Sequence, residues 1–251
     1  MPLEKSEAII LRTFPVGEQD KIVVFFSRDK GIMRGIAKGA RKFGNRFGSS
    51  LEPFSYVNIF YYEKERKELS TVSNCDLIES FFEIQKDLNI SFTLAYFAEI
   101  VEEFFPARSK DEPLFRLLIA NLQALKAGGD LNFLSTYFEA WFLKINGILP
   151  VFHWCKKCQK NITGPSWLSS KKDGVLCNSC AEQKKEKVPK EFNLFLEWIK
   201  INPPPKETTL PLTIGQTTAI RKILQSIIVF HLERDPKALH YVRSYISSLS
   251  K

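Results

Sequence analysis

The sequence predicts an α+β protein with two domains: an N-terminal five-stranded OB-type β-barrel, and an all-α domain that carries a four-cysteine, zinc-finger-like insertion. Three observations lead to this prediction. Short apolar runs fill the first 80 residues, helical spacing of apolar residues begins after residue 80, and two Cys-x-x-Cys pairs lie between residues 155 and 180. The composition is typical of a globular protein, because 44% of the 251 residues are hydrophobic and 25% are charged.

The barrel prediction rests on segments that are rich in Ile, Val and Phe and are separated by Gly and Pro turns. These segments span residues 7–13, 21–27, 31–37, 54–62 and 68–76. Five short strands suit a small closed barrel, because closure removes exposed strand edges. An OB-type barrel is the leading interpretation, and an SH3-like barrel is the alternative.

The remainder of the chain has apolar residues at the i, i+3 and i+4 spacing of helices. The predicted helices span residues 88–105, 113–126, 130–146, 213–233 and 236–249. Asp130 is the expected N-cap of the third helix, and Thr213 with Gln216 has the capping-box arrangement for the fourth. We interpret the apolar stripes as core. The predicted domains are therefore a barrel at 1–80 and a helical domain at 81–251, with an insertion at about 151–190.

The cysteine pairs have the spacing of a zinc site, since 18 residues separate one Cys-x-x-Cys from the other. The four expected ligands are Cys155, Cys158, Cys177 and Cys180. Four thiolates complete the tetrahedral shell of Zn²⁺ and leave no open position, so one structural zinc per chain is expected. His153 is a competing candidate ligand, and Cys75 is expected to be buried and inert.

Two segments hold the positive excess of the chain, whose formal net charge is +8. Residues 30–51 contain six bases and no acid, while residues 154–190 contain nine Lys and three acids, so each segment carries +6 and the rest carries −4. A single charge run is often only a solvated face. Two such runs on an otherwise acidic chain favour a polyanionic partner, namely nucleic acid.

The first run includes a Gly-rich loop, residues 35–48, between two predicted strands. Its bases can neutralise phosphates, and an aromatic ring among them can stack on a nucleobase. The candidate DNA-binding residues in and beside it are Arg34, Lys38, Arg41, Lys42, Phe43 and Arg46. Binding with little sequence preference is expected, because no recognition helix is evident. The alternative is a solvated hairpin whose rings, Phe43 and Phe47, pack under the barrel.

Other function classes have weaker support in the sequence. The usual catalytic motifs are missing, which predicts a protein that is not an enzyme and leaves a metal-dependent nuclease with scattered acids as a minor alternative. Apolar stretches are too short for a membrane helix, and the first residues lack a secretory signal, so a cytoplasmic protein is expected. An RNA-binding barrel with a zinc ribbon, acting in transcription or translation, and a scaffold for acidic proteins also remain open.

Several motifs, in their order and spacing, resemble the bacterial RecO family of DNA repair and recombination mediators. The matching segments are Glu7-Ala-Ile-Ile-Leu-Arg12, Gly17-Glu-Gln-Asp20, Phe26-Ser-Arg-Asp-Lys-Gly31, Lys38-Gly-Ala-Arg41, Phe47-Gly48, Leu51-Glu-Pro-Phe54, Asn146-Gly-Ile-Leu-Pro150 with the following Cys pair, and Arg243-Ser244. The resemblance implies an N-terminal OB domain and a helical domain with a zinc-finger-like insertion. It assigns DNA contact to the basic barrel residues Lys38, Arg41, Lys42 and Arg46, with Arg34 beside them.

The resemblance also implies an activity and a set of partners. Members of the family bind single- and double-stranded DNA, anneal complementary strands and act in the RecF pathway. With RecR they help to load the RecA recombinase onto DNA coated by single-strand-binding protein, whose acidic C-terminal tail docks on the helical domain. A nucleoid-associated cytoplasmic protein is expected on this basis.

Overall fold

The strands and helices are distributed over two compact units, Met1–Ile119 and Ala120–Lys251. The computed structural model describes residues 2–63, 69–206 and 212–248. In the first unit the strands end at Glu79. The predicted limits of a barrel domain at residue 80 and of an insertion at 151–190 remain predictions.

Five strands form the N-terminal part of the first unit, as the sequence predicts. They are β1 (Leu3–Val16), β2 (Asp20–Ser27), β3 (Gly31–Ala37), β4 (Tyr56–Tyr62) and β5 (Leu69–Glu79). The first strand is longer at both ends than the predicted 7–13, because its two halves pair with different neighbours, β4 and β2. Residue 68 of the predicted fifth strand lies outside the described residues.

The strands close into a barrel in the order β1-β2-β3-β5-β4. The β3–β5 pair is parallel and the other pairs are antiparallel. This is the OB arrangement, in place of the SH3-like alternative. Alternate residues point inward, as Val23 and Phe25 do on β2 and Val57 and Ile59 do on β4. The interior is therefore a packed apolar core.

A helical segment follows the barrel within the same unit. A short 3₁₀ turn at Glu83–Lys86 leads into α1 (Leu88–Phe104), which ends one residue before the predicted limit of 105. Asp87 caps α1, because its carboxylate accepts a hydrogen bond from the Asn89 backbone N–H at 2.7 Å. The next helix, α2, spans Glu112–Lys126, so it begins in the first unit and ends in the second; it starts one residue earlier than predicted.

The second unit contains the remaining helices, α3 (Leu131–Ile145), α4 (Phe192–Ile201), α5 (Ile214–Leu232) and α6 (Leu239–Ser248). Asp130 caps α3 and Thr213 opens α5 with a complete capping box, so both predicted N-termini are confirmed. The sequence pattern did not predict α4. The predicted start of the last helix, residue 236, is three residues before the observed start of α6, because the segment before Leu239 forms a turn. Residue 249, the predicted end of this helix, lies outside the described residues.

Three very short strands lie in the cysteine-bearing segment, and the sequence pattern predicts none of them. They are β6 (Ser166–Leu168), β7 (Val175–Cys177) and β8 (Lys187–Val188), paired in the order β7-β6-β8. Antiparallel pairing across β6 brings Ser166 opposite Cys177. The small sheet thus places part of the second Cys-x-x-Cys pair on regular backbone.

A buried polar cluster lies between α3 and α5, where the sequence pattern predicts only apolar core. The Arg221 guanidinium and the Glu139 carboxylate are fully buried, with 3.2 Å between Nε and Oε1. Gln225 donates to the same carboxylate oxygen at 3.1 Å. A buried ion pair needs such extra hydrogen bonds to offset desolvation, and here the bonds connect α3 to α5.

Candidate functional site

The basic loop between β3 and β4 is tied to the neighbouring β1–β2 hairpin by two hydrogen bonds. The Gly39 backbone N–H donates to Asp20 Oδ1 at 2.8 Å, and the Arg41 backbone N–H donates to the Gln19 carbonyl at 2.9 Å. Gly39 has φ +72°, a left-handed conformation that favours glycine at this turn. These bonds fix the start of the loop against the barrel.

Asn45 organises the second half of the loop. Its side-chain Oδ1 accepts hydrogen bonds from the backbone N–H groups of Phe47 at 3.0 Å and Gly48 at 3.2 Å. Its Nδ2 donates to the Lys42 carbonyl at 3.0 Å, which closes a compact turn. Asn favours such local side-chain to backbone bonds. Asn45, Asp20 and Gly39 are positioning residues that the sequence pattern does not single out.

The two loop phenylalanines have opposite environments. Phe47 is 3% exposed and belongs to the barrel core, whereas Phe43 is 107% exposed, as open as in an extended peptide. The guanidinium of Arg46 lies 4.5 Å from the centroid of the Phe47 ring. Phe47 is therefore an anchor for the loop and is not available to stack on a base, so packing of the rings under the barrel, the alternative for this loop, holds for Phe47 but not for Phe43. Phe43 alone projects into solvent.

The candidate cations are exposed, and in the described ranges 2–63, 69–206 and 212–248 none of them lies within ion-pair distance of a carboxylate. These residues are Arg34, Lys38, Arg41, Lys42 and Arg46. Arg41 Nη1 donates to the Gly17 carbonyl at 3.0 Å, and Arg46 Nε donates to the Ser73 carbonyl at 2.7 Å. Both guanidinium groups are thus held in place by neutral oxygens, and no carboxylate of the described residues pairs with them.

Part of this set lines one surface depression of about 400 Å³. Lys38, Lys42, Phe43 and Arg46 contribute to its wall, together with the carboxylate-bearing Asp20. Arg34 and Arg41 do not line it; Arg34 projects from β3, outside the loop. The depression combines three cations, one exposed ring and one acid.

The four predicted ligand cysteines form a single cluster. Their sulfurs all lie within 4.8 Å of one another, and Cys158 Sγ is 3.9 Å from Cys177 Sγ. Tetrahedral ligation with Zn–S bonds of about 2.3 Å requires sulfurs about 3.8 Å apart, so the cluster fits a metal ion of that size. His153 is not part of the cluster; its ring lies 4.2 Å from that of Trp154.

Local hydrogen bonds favour thiolate at one end of this cluster. Burial raises the pKa of the Cys155 thiol, but backbone N–H groups of Cys158 and Cys177 directed at its sulfur lower the pKa to about 6. Hydrogen bonding with Cys177 raises the pKa of Cys180 to about 12. Cys75 differs, since burial raises its pKa to about 11, as expected for an inert core thiol.

The lysines around the cysteines are partly neutralised by acids of the same segment. Lys156 pairs with Asp173, and Lys172 pairs with Glu186. The Lys157 Nζ lies 3.1 Å from Glu182 Oε1. Every acid of residues 154–190 therefore has a lysine partner, although the segment as a whole keeps its positive excess.

Comparison with known proteins decides the family. The model described as recombination protein O N-terminal matches residues 1–81, and the model described as recombination protein O C-terminal matches residues 85–240. The chain belongs to the RecO family. A DNA repair protein RecO of Pelotomaculum thermopropionicum is 34% identical over 96% of this chain and 94% of its own length. A DNA repair protein RecO of Koribacter versatilis is 30% identical over 92% of this chain and 95% of its own length.

Membership of the RecO family makes this chain a DNA repair protein with an OB-type N-terminal barrel, in agreement with the resemblance drawn from its motifs. Among the described residues, none of the helices combines the length and the apolar character needed to span a bilayer.

Proposed function

We propose that this RecO-family protein is a non-enzymatic mediator of homologous recombination that binds single- and double-stranded DNA through its basic loop. The observation that carries the proposal is the set of loop cations, which are exposed and have no carboxylate partner in the described part of the chain. Cations that are free of acidic partners can neutralise phosphates and release counterions. The candidate contacts are Arg34, Lys38, Arg41, Lys42 and Arg46, with the ring of Phe43.

Annealing follows from the same chemistry. Two complementary strands repel each other through their phosphates, and a cationic surface that holds both reduces this repulsion and raises their local concentration. Because the loop contacts the backbone by charge and presents no element for reading base edges, annealing is expected with any complementary pair. In the cell this activity is proposed to operate in the RecF pathway, where RecR and the protein load RecA.

The proposed cofactor is one structural Zn²⁺ held by Cys155, Cys158, Cys177 and Cys180. The spacing of the sulfurs supports this assignment, and a four-thiolate shell leaves no position for substrate. The metal would supply folding free energy to the segment, and the surrounding lysines would offset the net negative charge of the tetrathiolate site. The tail of single-strand-binding protein is proposed to dock on the helical part of the chain.

An annealing assay with complementary oligonucleotides, one labelled and both at low concentration, tests the proposal most directly. We expect the protein to accelerate duplex formation at low salt and to retard both single-stranded and duplex DNA in a gel. Competition with RNA of the same sequence tests the alternative role in transcription or translation, which stronger binding to RNA would support. Degradation of labelled DNA with Mg²⁺ or Mn²⁺ would contradict a non-enzymatic mediator.

A further inference from the structure

Phe43 is the most exposed large apolar side chain in the described part of the first unit. A singly exposed apolar side chain is not by itself a sign of a partner, so the surroundings of Phe43 decide its role. The neighbouring side chains are cations, and Lys42, Phe43 and Arg46 line the same depression. A ring between cations matches the pattern of single-strand binding sites, where phosphates are held by charge and bases by stacking.

The backbone of the loop around Phe43 is ordered by local hydrogen bonds. The Lys42 backbone N–H donates to the Gly39 carbonyl at 3.0 Å, and the Asn45 backbone N–H donates to the Lys42 carbonyl at 3.2 Å, so one turn precedes Phe43 and Phe43 occupies the second position of the next. Gly44 has φ +66° and open space around it, which lets the backbone reverse immediately after the ring. The buried Phe47 then anchors the turn in the barrel core. Because the loop backbone is already ordered, stacking of the ring costs little backbone conformational entropy.

Paired and unpaired bases differ in whether a face of the base is accessible to such a ring. Both faces of a base inside a duplex are covered by neighbours, and opening one step costs unstacking free energy. An unpaired base has a face that can be reached without that cost. The loop cations, by contrast, meet phosphates in both forms of DNA.

We infer that Phe43 makes the basic loop selective for unpaired DNA, by stacking on one base of a single strand while the surrounding cations bind single strands and duplexes alike. This inference rests on the proposed DNA-binding function and adds to it the group that distinguishes the two forms. The ligand is an unpaired nucleobase of any identity, because every base has a π-face. The aromatic and the charged residues of the loop thus have separate roles.

The test compares the affinity of four proteins for three DNAs by fluorescence anisotropy at one salt concentration. The proteins are the wild type, Phe43→Ala, Phe43→Trp and Phe82→Ala, the last being a control that removes another exposed ring (51% exposed) of the same unit. The DNAs are a single strand, the same strand in a duplex, and a single strand of equal length whose residues lack bases. Thermal unfolding of each variant confirms that the fold is retained.

We expect Phe43→Ala to weaken single-strand binding about five- to a hundredfold, which is the usual effect of losing one stacked base. Binding to the duplex and to the abasic strand should change less than twofold, Phe43→Trp should restore single-strand affinity, and Phe82→Ala should have no effect. A wild type that binds DNA while Phe43→Ala loses affinity equally for all three ligands, or for none, overturns the inference alone. A wild type that binds none of the three DNAs overturns the proposed function and this inference together.

Discussion

Residues 30–51 and residues 154–190 carry the same formal excess of six positive charges, but the two segments differ in how many of their cations have carboxylate partners. In the cysteine-bearing segment, three lysines pair with the three acids of the same segment. In the first segment only Lys30 has acidic partners within the described ranges, with its Nζ 2.6 Å from Glu63 Oε2. The loop cations contact neutral carbonyls or project into solvent. Net charge therefore does not identify a binding surface until the partners of each charge are known.

The two segments also differ in what holds them together. The basic loop is anchored by Phe47 in the barrel core and by hydrogen bonds from Asn45 and Asp20. The cysteine-bearing segment has only two- and three-residue strands, and its four cysteines form the proposed zinc site. The first segment should keep its structure without metal, and the second should not. Four predictions test these contrasts.

The largest expected effect is that of Cys155→Ser on the cysteine-bearing segment. This fully buried sulfur is central to the cluster, and a structural zinc site in small peptides contributes about 10–16 kcal/mol of binding free energy at pH 7. We expect the wild type to contain about one zinc per chain and the variant to lose it. Hydrogen exchange should then increase in residues 151–190 while the barrel strands stay protected.

Cys75→Ser is the matched control, since this buried cysteine lies outside the cluster. It should retain the full zinc content, although burial of a hydroxyl in the barrel core lowers stability somewhat. A metal-free wild type with a fully protected segment would contradict the zinc assignment.

The second effect is a loss of DNA affinity when the unpaired loop charges are removed. Lys38→Gln with Lys42→Gln removes two exposed charges whose side chains make no hydrogen bond or ion pair in the described ranges, so the fold should be unaffected. If each lysine neutralises one phosphate, the counterion relation gives about a fivefold loss per charge near 0.1 M salt, or about 25-fold for both. Titration of a labelled single strand measures this. Unchanged affinity would place the DNA surface elsewhere.

The third expected effect is a gain of DNA affinity when the acid beside the loop cations is neutralised. Asp20 supplies the carboxylate of the depression beside Lys38, Lys42 and Arg46, and its Oδ1 accepts the Gly39 N–H. Asp20→Asn removes the charge and keeps a side-chain oxygen for that hydrogen bond. Single-strand affinity should rise by up to about fivefold, the effect of one charge in the counterion relation. A decrease with intact folding would mean that the phosphate path avoids the depression.

The smallest effect is expected for the paired lysines near the cysteines. Lys157→Gln breaks an ion pair with Glu182 that is exposed at both ends, and solvent screening leaves such pairs with little effect on stability. Chemical denaturation should therefore show little change in the free energy of unfolding, and single-strand affinity should change less than twofold. A loss of affinity as large as that of a loop lysine would assign DNA contact to the cysteine-bearing segment as well.

The sequence predicts most of the regular structure because the relevant signals are local. The apolar run of β2, the looser alternation of β4, and the caps Asp130 and Thr213 are visible within a few residues. The three short strands near the cysteines are too brief to show any period. The segment of α4 does carry a helical signal, with Phe192, Phe195 and Ile199 buried on one face, and it could have been found.

The parts that the sequence could not predict depend on residues distant along the chain. The buried pair of Glu139 and Arg221 joins positions 82 residues apart, and no local pattern relates them. Phe43 and Phe47 are the same residue type on the same loop, and only their packing shows that one is an anchor and the other is exposed. The cysteine spacing, in contrast, predicts the cluster because two short chelating turns constrain the geometry strongly.

The most direct test of the contrast between the two segments is the dependence of single-strand affinity on salt. The slope of log affinity against log salt should become shallower by about 1.4 in Lys38→Gln with Lys42→Gln, since each lost phosphate contact removes about 0.7. The same slope should be unchanged in Lys156→Gln with Lys157→Gln, whose lysines have carboxylate partners. An equal change in both double variants, or a change in the second alone, would contradict the assignment of the DNA surface to the loop.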